Sequence, residues 1–157
     1  MGYKNQLDNI VSFFIINLGE KMIFNFNKKI YGFECDVYGH LNNANYLHIY
    51  ESARAEALQE MDMSILKLKE LGISLFVVRI EIDYKIGVEL EDKIKVQTMS
   101  IENSRLSALW YQEIYNSKNE LCNKALVKGV YVSKGKPFRI NKELCASFDK
   151  FIETGKR

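Results

Sequence analysis

A chain of 157 residues with 47% apolar side chains has enough material for one hydrophobic core. Its 22 basic and 20 acidic residues leave a net charge of +2 and are mixed along the chain, which argues against nucleic acid as the main partner. Three cysteines, Cys35, Cys122 and Cys145, are odd in number and lack C-x-x-C spacing, so a disulfide framework or zinc site is not expected and a reducing cytoplasm fits.

Residues 1–21 stand apart from the rest. Their apolar run, IVSFFIINL at 10–18, is shorter than the roughly 20 residues a membrane span needs, and no small-residue cleavage site follows it. A core helix or dimer-packing helix is one reading. The preferred expectation is a mis-called start, with Met22 as the true first residue. Gly19-Glu20-Lys21 is what GGA-GAA-AAA, a purine-rich ribosome-binding sequence, would encode. Codons of another kind, or native peptides from before Met22, would reject this. The expected organisation is an extension, residues 1–21, and one domain, residues 22–157.

Ile23 to Phe33 alternates apolar and polar residues for much of its length and predicts a strand. Apolar residues then recur at the helical period from about Ala44 to Met61, with Asn42 or Asn43 as the natural cap. A short helix is expected over Ser64 to Leu71, stopping at Gly72. Four strands follow, over Leu75–Tyr84, Asp92–Glu102, Arg105–Tyr115 and Glu120–Ser133. The short turns at Asn103-Ser104 and Asn116 to Asn119 make the last three antiparallel neighbours. Pro137 is expected beyond the last strand, and Asn141 caps a closing helix, Lys142 to about Glu153. A helix packed on one antiparallel sheet is an α+β architecture whose open edges invite a second subunit.

The chemistry concentrates in DVYGHLNNANYLHIYESAR, from Asp36 to Arg54. The first N–H groups of a helix lack intrahelical acceptors and can polarise a carbonyl, while a nearby acid acts on the carbon or on water. Asp36 is therefore a candidate general base or nucleophile; standing alone, it would be read as a cap. His40 either positions water and the substrate carbonyl or is a structural hydrogen-bonding group. Asn42 and Asn43 shape the turn. Glu51 and Arg54, three apart on the helix, are placed to pair, and a buried position for either would be costly without a partner. Tyr46, Tyr50, Phe76 and Trp110 line an acyl pocket or fill the core. Lys85, Lys134, Lys136 and Arg139 are candidates for meeting phosphates. Cys35 reads as a small buried residue, and His48 as ordinary.

With D-x-x-G-H-x-N-N-x-x-Y-L at Asp36 to Leu47, Glu51-x-x-Arg54 and the IDY at Ile82 to Tyr84, the chain resembles the hotdog-fold acyl-CoA thioesterases of the 4-hydroxybenzoyl-CoA thioesterase-like family. The resemblance covers Met22 to Asn141. It implies a five-stranded antiparallel sheet wrapped around a long central helix, with protomers joined through their sheets as a homodimer or homotetramer. It implies hydrolysis of an acyl-CoA to a free carboxylic acid and CoA, in the cytoplasm. The catalytic positions carried over are Asp36 and Asn43, the latter through its backbone N–H, with Glu51 and His40 in supporting roles. Asn42 and Tyr46 are the expected substrate-binding positions. No metal and no cofactor is expected, CoA entering only as part of the substrate. The rival readings are an acyl-carrier-protein thioesterase and a non-catalytic acyl-CoA-binding hotdog protein.

Overall fold

One antiparallel sheet organises the chain, and the computed structural model describes it over residues 22–153. The expectations for residues 1–21 lie outside the described residues. The strands are β1 (Phe24–Lys29), β2 (Ser74–Tyr84), β3 (Lys93–Asn103), β4 (Ser107–Tyr115), β5 (Leu121–Ser133) and β6 (Lys136–Pro137). Their spatial order is β1-β3-β4-β5-β2, with β6 paired to β5. Irregular register between Val77 and Arg79 and between Ser100 and Glu102 accentuates the twist of the sheet.

The helices are α1 (Asn45–Glu60), α2 (Ile65–Glu70) and α3 (Lys142–Glu153). α1 turns Tyr46, Ile49, Tyr50, Ala53, Ala57 and Leu58 to the sheet at the helical period; Leu47, expected on this stripe, is instead 39% exposed, and Tyr46 and Ile49 take the buried places near the helix start. Fully burying a large apolar side chain contributes about 1.5–3 kcal/mol, so this stripe is what fixes α1 on the sheet. The Ser64 hydroxyl oxygen accepts from the Lys67 N–H at 3.2 Å to start α2. Gly72, at φ +70°, releases the chain from it. Asn141 Oδ1 accepts from the Leu144 N–H at 2.7 Å and caps α3 as expected.

Three expectations need correction. The first strand ends at Lys29 rather than Phe33. The Ile30 N–H donates to Asp92 O, and a 3₁₀ turn, Gly32–Glu34, then swings the chain away from the sheet edge. Pro137 is inside a strand, not beyond the last one. Lys134 (φ 51°) and Gly135 (φ +74°) form a two-residue turn of the hairpin-making kind, so the chain folds back and adds a sixth, two-residue strand to the five expected. α1 begins at Asn45, one residue late, with Ala44 at the cap position and no side-chain cap of its own.

Candidate active site

The motif turn is stitched to the start of α1 by backbone bonds. Cys35 and Leu41 form an antiparallel bridge, as do His40 and Glu89. The Asp36 N–H donates to His40 O at 2.8 Å, and the Gly39 N–H donates to Asp36 O at 3.1 Å. Gly39 sits at φ +80°, where a side chain would be strained. The Asp36 carboxylate serves the turn through one oxygen: Oδ1 accepts from the Tyr38 N–H at 2.9 Å and from the His40 N–H at 3.3 Å. Oδ2 has no protein partner among the described residues. Asp36 is half-buried.

At the helix start, Asn42 Oδ1 accepts from the Ala44 N–H at 3.0 Å, and Asn42 O accepts from the Asn45 N–H at 2.9 Å. Asn42 is therefore the side chain that ends the orphaned state of the Ala44 amide. The Asn43 N–H has no acceptor among the described residues, and Asn43 is exposed. Its carbonyl is pinned by the Tyr84 hydroxyl, which donates at 3.0 Å.

The remaining expected residues are distributed differently. His40 is exposed, and its ring lies over Gly87, where an added Cβ would meet His40 Cδ2 at 2.9 Å. Tyr46 is only 3% exposed, with its ring edge-on to Tyr84 at 5.2 Å, so it is a wall beneath the turn rather than an open surface. Burial pushes its hydroxyl up to about 12, a rise partly offset by a backbone hydrogen bond at Val88. Tyr50 is a core residue whose hydroxyl donates to Asn123 Oδ1. Cys35 is half-buried, and burial, then Asp36 and Glu34, push its thiol up, away from nucleophilic behaviour. Lys85, Lys134, Lys136 and Arg139 are exposed.

Glu51 and Arg54 do not share one environment. Glu51 is exposed, whereas the Arg54 guanidinium is partly buried and Nη1 donates to Gln112 Oε1 at 2.7 Å. Burial pulls Arg54 down from its ordinary range, and the Glu51 charge opposes that shift. Both line a cavity of about 440 Å³ between α1, α2 and the sheet, with Leu58, Leu75, Phe76 and Trp110 among its walls. Glu51 is six residues into α1, which places the cavity roughly 9 Å along the helix from Asn45. The indole N–H of Trp110 is buried without a partner among the described residues.

Sequence reasoning missed two residues that hold this arrangement. Glu34 is 8% exposed; its carboxylate meets Lys28 at 3.0 Å and accepts from the Tyr31 N–H at 3.1 Å. Its carbonyl accepts from the Asn42 N–H and from Asn45 Nδ2, fixing the motif loop to the helix. Nothing in the local pattern marks Glu34, since every partner except Tyr31 and Lys28 depends on the fold. Tyr84 was legible only as the last residue of IDY. Among the described residues no cluster of three or more His, Cys, Asp or Glu side chains could hold a metal, and no helix is long and apolar enough to cross a membrane.

The thioesterase-like superfamily profile matches residues 33–148. An acyl-CoA thioesterase, YbgC of Haemophilus influenzae, is 33% identical over 128 residues, covering 80% of this chain and 93% of the relative. Among solved structures, a DHNA-CoA thioesterase from Staphylococcus aureus superposes with a TM-score of 0.78 at 23% identity, covering 82% of this chain and 89% of that one. A second Staphylococcus aureus protein, solved in complex with CoA, reaches 0.80 at 13% identity, covering 90% of each chain. The fold is thus the α+β hotdog fold with a curled antiparallel sheet, and the chain belongs to the thioesterase-like superfamily.

Proposed function

We propose that the protein hydrolyses an acyl-CoA thioester to a free acid and CoA. The observation that carries this reading is a pair of groups on one stitched turn that have no partner among the described residues: Oδ2 of Asp36 and the N–H of Asn43. A thioester carbonyl oxygen accepting from Asn43 N–H gains negative charge as the bond to the nucleophile forms, and the positive end of α1 favours that charge. Asp36 Oδ2 either removes a proton from water or attacks the carbonyl carbon, giving an anhydride that water opens. Both routes release the thiol, and ¹⁸O from labelled water enters the Asp36 carboxyl only by the second. His40, packed on Gly87, orients water at the turn. Asn42 and Tyr46 shape the floor of the thioester site, and Glu51 biases the charge at the mouth of the apolar cavity, which takes the acyl group.

A protomer pair completes the reading. β2 lies at one end of the sheet, and Phe76 (56%), Val77 (46%) and Val78 (55%) are exposed on it. An exposed apolar edge strand invites edge-to-edge pairing with a second copy, as a homodimer or a larger assembly of dimers. Three free cysteines fit a cytoplasmic setting.

A thiol-release assay over short, long and aromatic acyl-CoAs, run beside matched acyl-carrier-protein substrates, tests the proposal. Turnover of acyl-CoA by the purified protein, lost in Asp36→Asn, is expected. Faster turnover on the carrier-protein substrates would shift the substrate class. Tight acyl-CoA binding with no thiol release would make the protein a non-catalytic binder.

A further inference from the structure

Arg54 is a half-buried cation whose one partner is neutral. Nη1 donates to the amide oxygen of Gln112 at 2.7 Å. Among the described residues this is its only hydrogen bond, and no carboxylate comes within ion-pair distance. A guanidinium carries its N–H donors in a planar fork and accepts nothing. Taking part of that fork out of water for a single neutral acceptor leaves most of its bonding unmet.

Trp110 supplies a second donor on the same side. It stands two residues before Gln112 on β4, so both turn to the face that carries α1. Trp110 is 2% exposed, and its indole N–H is without a partner among the described residues. An indole donates and never accepts, and a buried donor left over in a packed interior is uncommon. Arg54 and Trp110 both wall the cavity of about 440 Å³, among apolar neighbours that include Leu58, Leu75, Phe76 and Val127. The polar side chains drawn from water around this cavity are therefore donors. Glu51, the acid among its walls, is exposed. Solvent screens its charge, whereas the partly desolvated fork attracts an anion more strongly.

Spacing sets the reach. The helix rises roughly 13–14 Å from Asn45 to Arg54. Helical side chains lean toward the N-terminus, so the fork reaches back along α1 toward the motif turn. A group held by Arg54 is thus separated from a carbonyl held at Asn43 by the length of an acyl chain.

We infer that the cavity selects an acyl group that ends in its own carboxylate, the substrate being an ω-carboxyacyl-CoA of medium length. This rests on the reading that the cavity holds the acyl group during hydrolysis. The Arg54 fork and the Trp110 N–H donate to the far carboxylate, and the methylenes between lie on Leu58, Leu75 and Val127. Water oxygen replaces sulfur on the thioester carbon and the C–S bond breaks. The products are a dicarboxylic acid and CoA as its thiol, with the far carboxylate unchanged.

The test compares succinyl-, adipoyl-, suberoyl- and sebacoyl-CoA with the methyl-ended and hydroxyl-ended acyl-CoAs of the same lengths, by thiol release from the purified full chain. At the best length the carboxylate-ended substrate should have a kcat/KM about tenfold above its methyl-ended match. Equal rates, or a preference for the methyl or hydroxyl end, overturn the inference while leaving acyl-CoA hydrolysis standing. Should no acyl-CoA release thiol, the hydrolysis reading falls instead, and calorimetry of the same pairs still decides: the carboxylate end must bind about tenfold tighter. Two variants then test the assignment. Arg54→Gln keeps a donor for Gln112 but removes the charge, and should cut the carboxylate-to-methyl ratio about tenfold. Trp110→Phe keeps the ring and removes the N–H, and should cut the ratio a few-fold. An unchanged ratio in either folded variant overturns the inference; the wild-type panel decides it alone if neither folds.

Discussion

The motif turn at residues 36–45 and the polar layer beneath the middle of α1 are both built from hydrogen-bonding side chains, but they are closed differently. In the turn, Asp36 and Asn43 each keep one group without a partner among the described residues, Asp36 half-buried and Asn43 at the surface. Beneath α1, Gln112 is 0% exposed, and its amide bonds Arg54, Tyr50 O and Thr98 at once. Groups that are already partnered and sealed from water hold the helix in place and have nothing left for a ligand. Groups left unfilled next to water are available to a substrate. The polar layer beneath α1 sets where the helix lies, and the turn uses where its N-terminus arrives.

Substitutions can break or sharpen that contrast. Asp36→Asn has the largest expected effect: kcat falls by about 10²- to 10⁴-fold, the usual range for losing an acid–base group. The urea midpoint should hardly move, because Asn keeps an oxygen for the Tyr38 and His40 amides. A large loss of stability would mean that Asp36 is chiefly a turn cap. Gln112→Leu should do the reverse. It leaves a guanidinium and a buried carbonyl without their partner, which costs about 2–4 kcal/mol in urea unfolding, while kcat changes only a few-fold. A kcat loss matching that of Asp36→Asn would erase the distinction between the two regions.

An alkaline titration sharpens it further. The Tyr46 hydroxyl is raised by burial from its ordinary value of 10.0 to about 12. The unfolded chain therefore ionises first, so this contribution to stability is whole below pH 10 and is lost as pH rises through 12. The loss attached to Tyr46 is about 2–3 kcal/mol. Tyr46→Phe should flatten the fall between pH 10 and 12, followed by circular dichroism in urea; an equally steep fall would mean that Tyr46 ionises in the folded protein as freely as in the unfolded chain. Tyr84→Phe has the smallest expected effect. It removes only the bond to Asn43 O, worth about 1 kcal/mol, and lowers kcat a few-fold by loosening the amide next to the thioester. Unchanged kcat would show that the Asn43 peptide is held without it.

The α+β character, the long amphipathic helix, the capped closing helix and the strand–turn–strand run from β3 to β5 were legible in the sequence. Each depends on neighbours a few residues away: the apolar period of α1, Ser64 and Asn141 as caps, Gly72 as a stop. The motif from Asp36 to Leu47 was legible for the same reason, since its bonds close within one turn. Contacts between distant segments were not. Arg54 was expected with Glu51, its neighbour on the helix, but it donates to Gln112, 58 residues away. Glu34 carries no local signature, yet it ties the motif loop to α1. The sixth strand followed from the backbone freedom of Lys134-Gly135, which the alternation of apolar residues does not encode. Local propensity and periodicity determined which elements form and which residues begin them. Tertiary packing alone decided which charged side chains are sealed and which polar groups remain open to a ligand, because both depend on what lies opposite across the core.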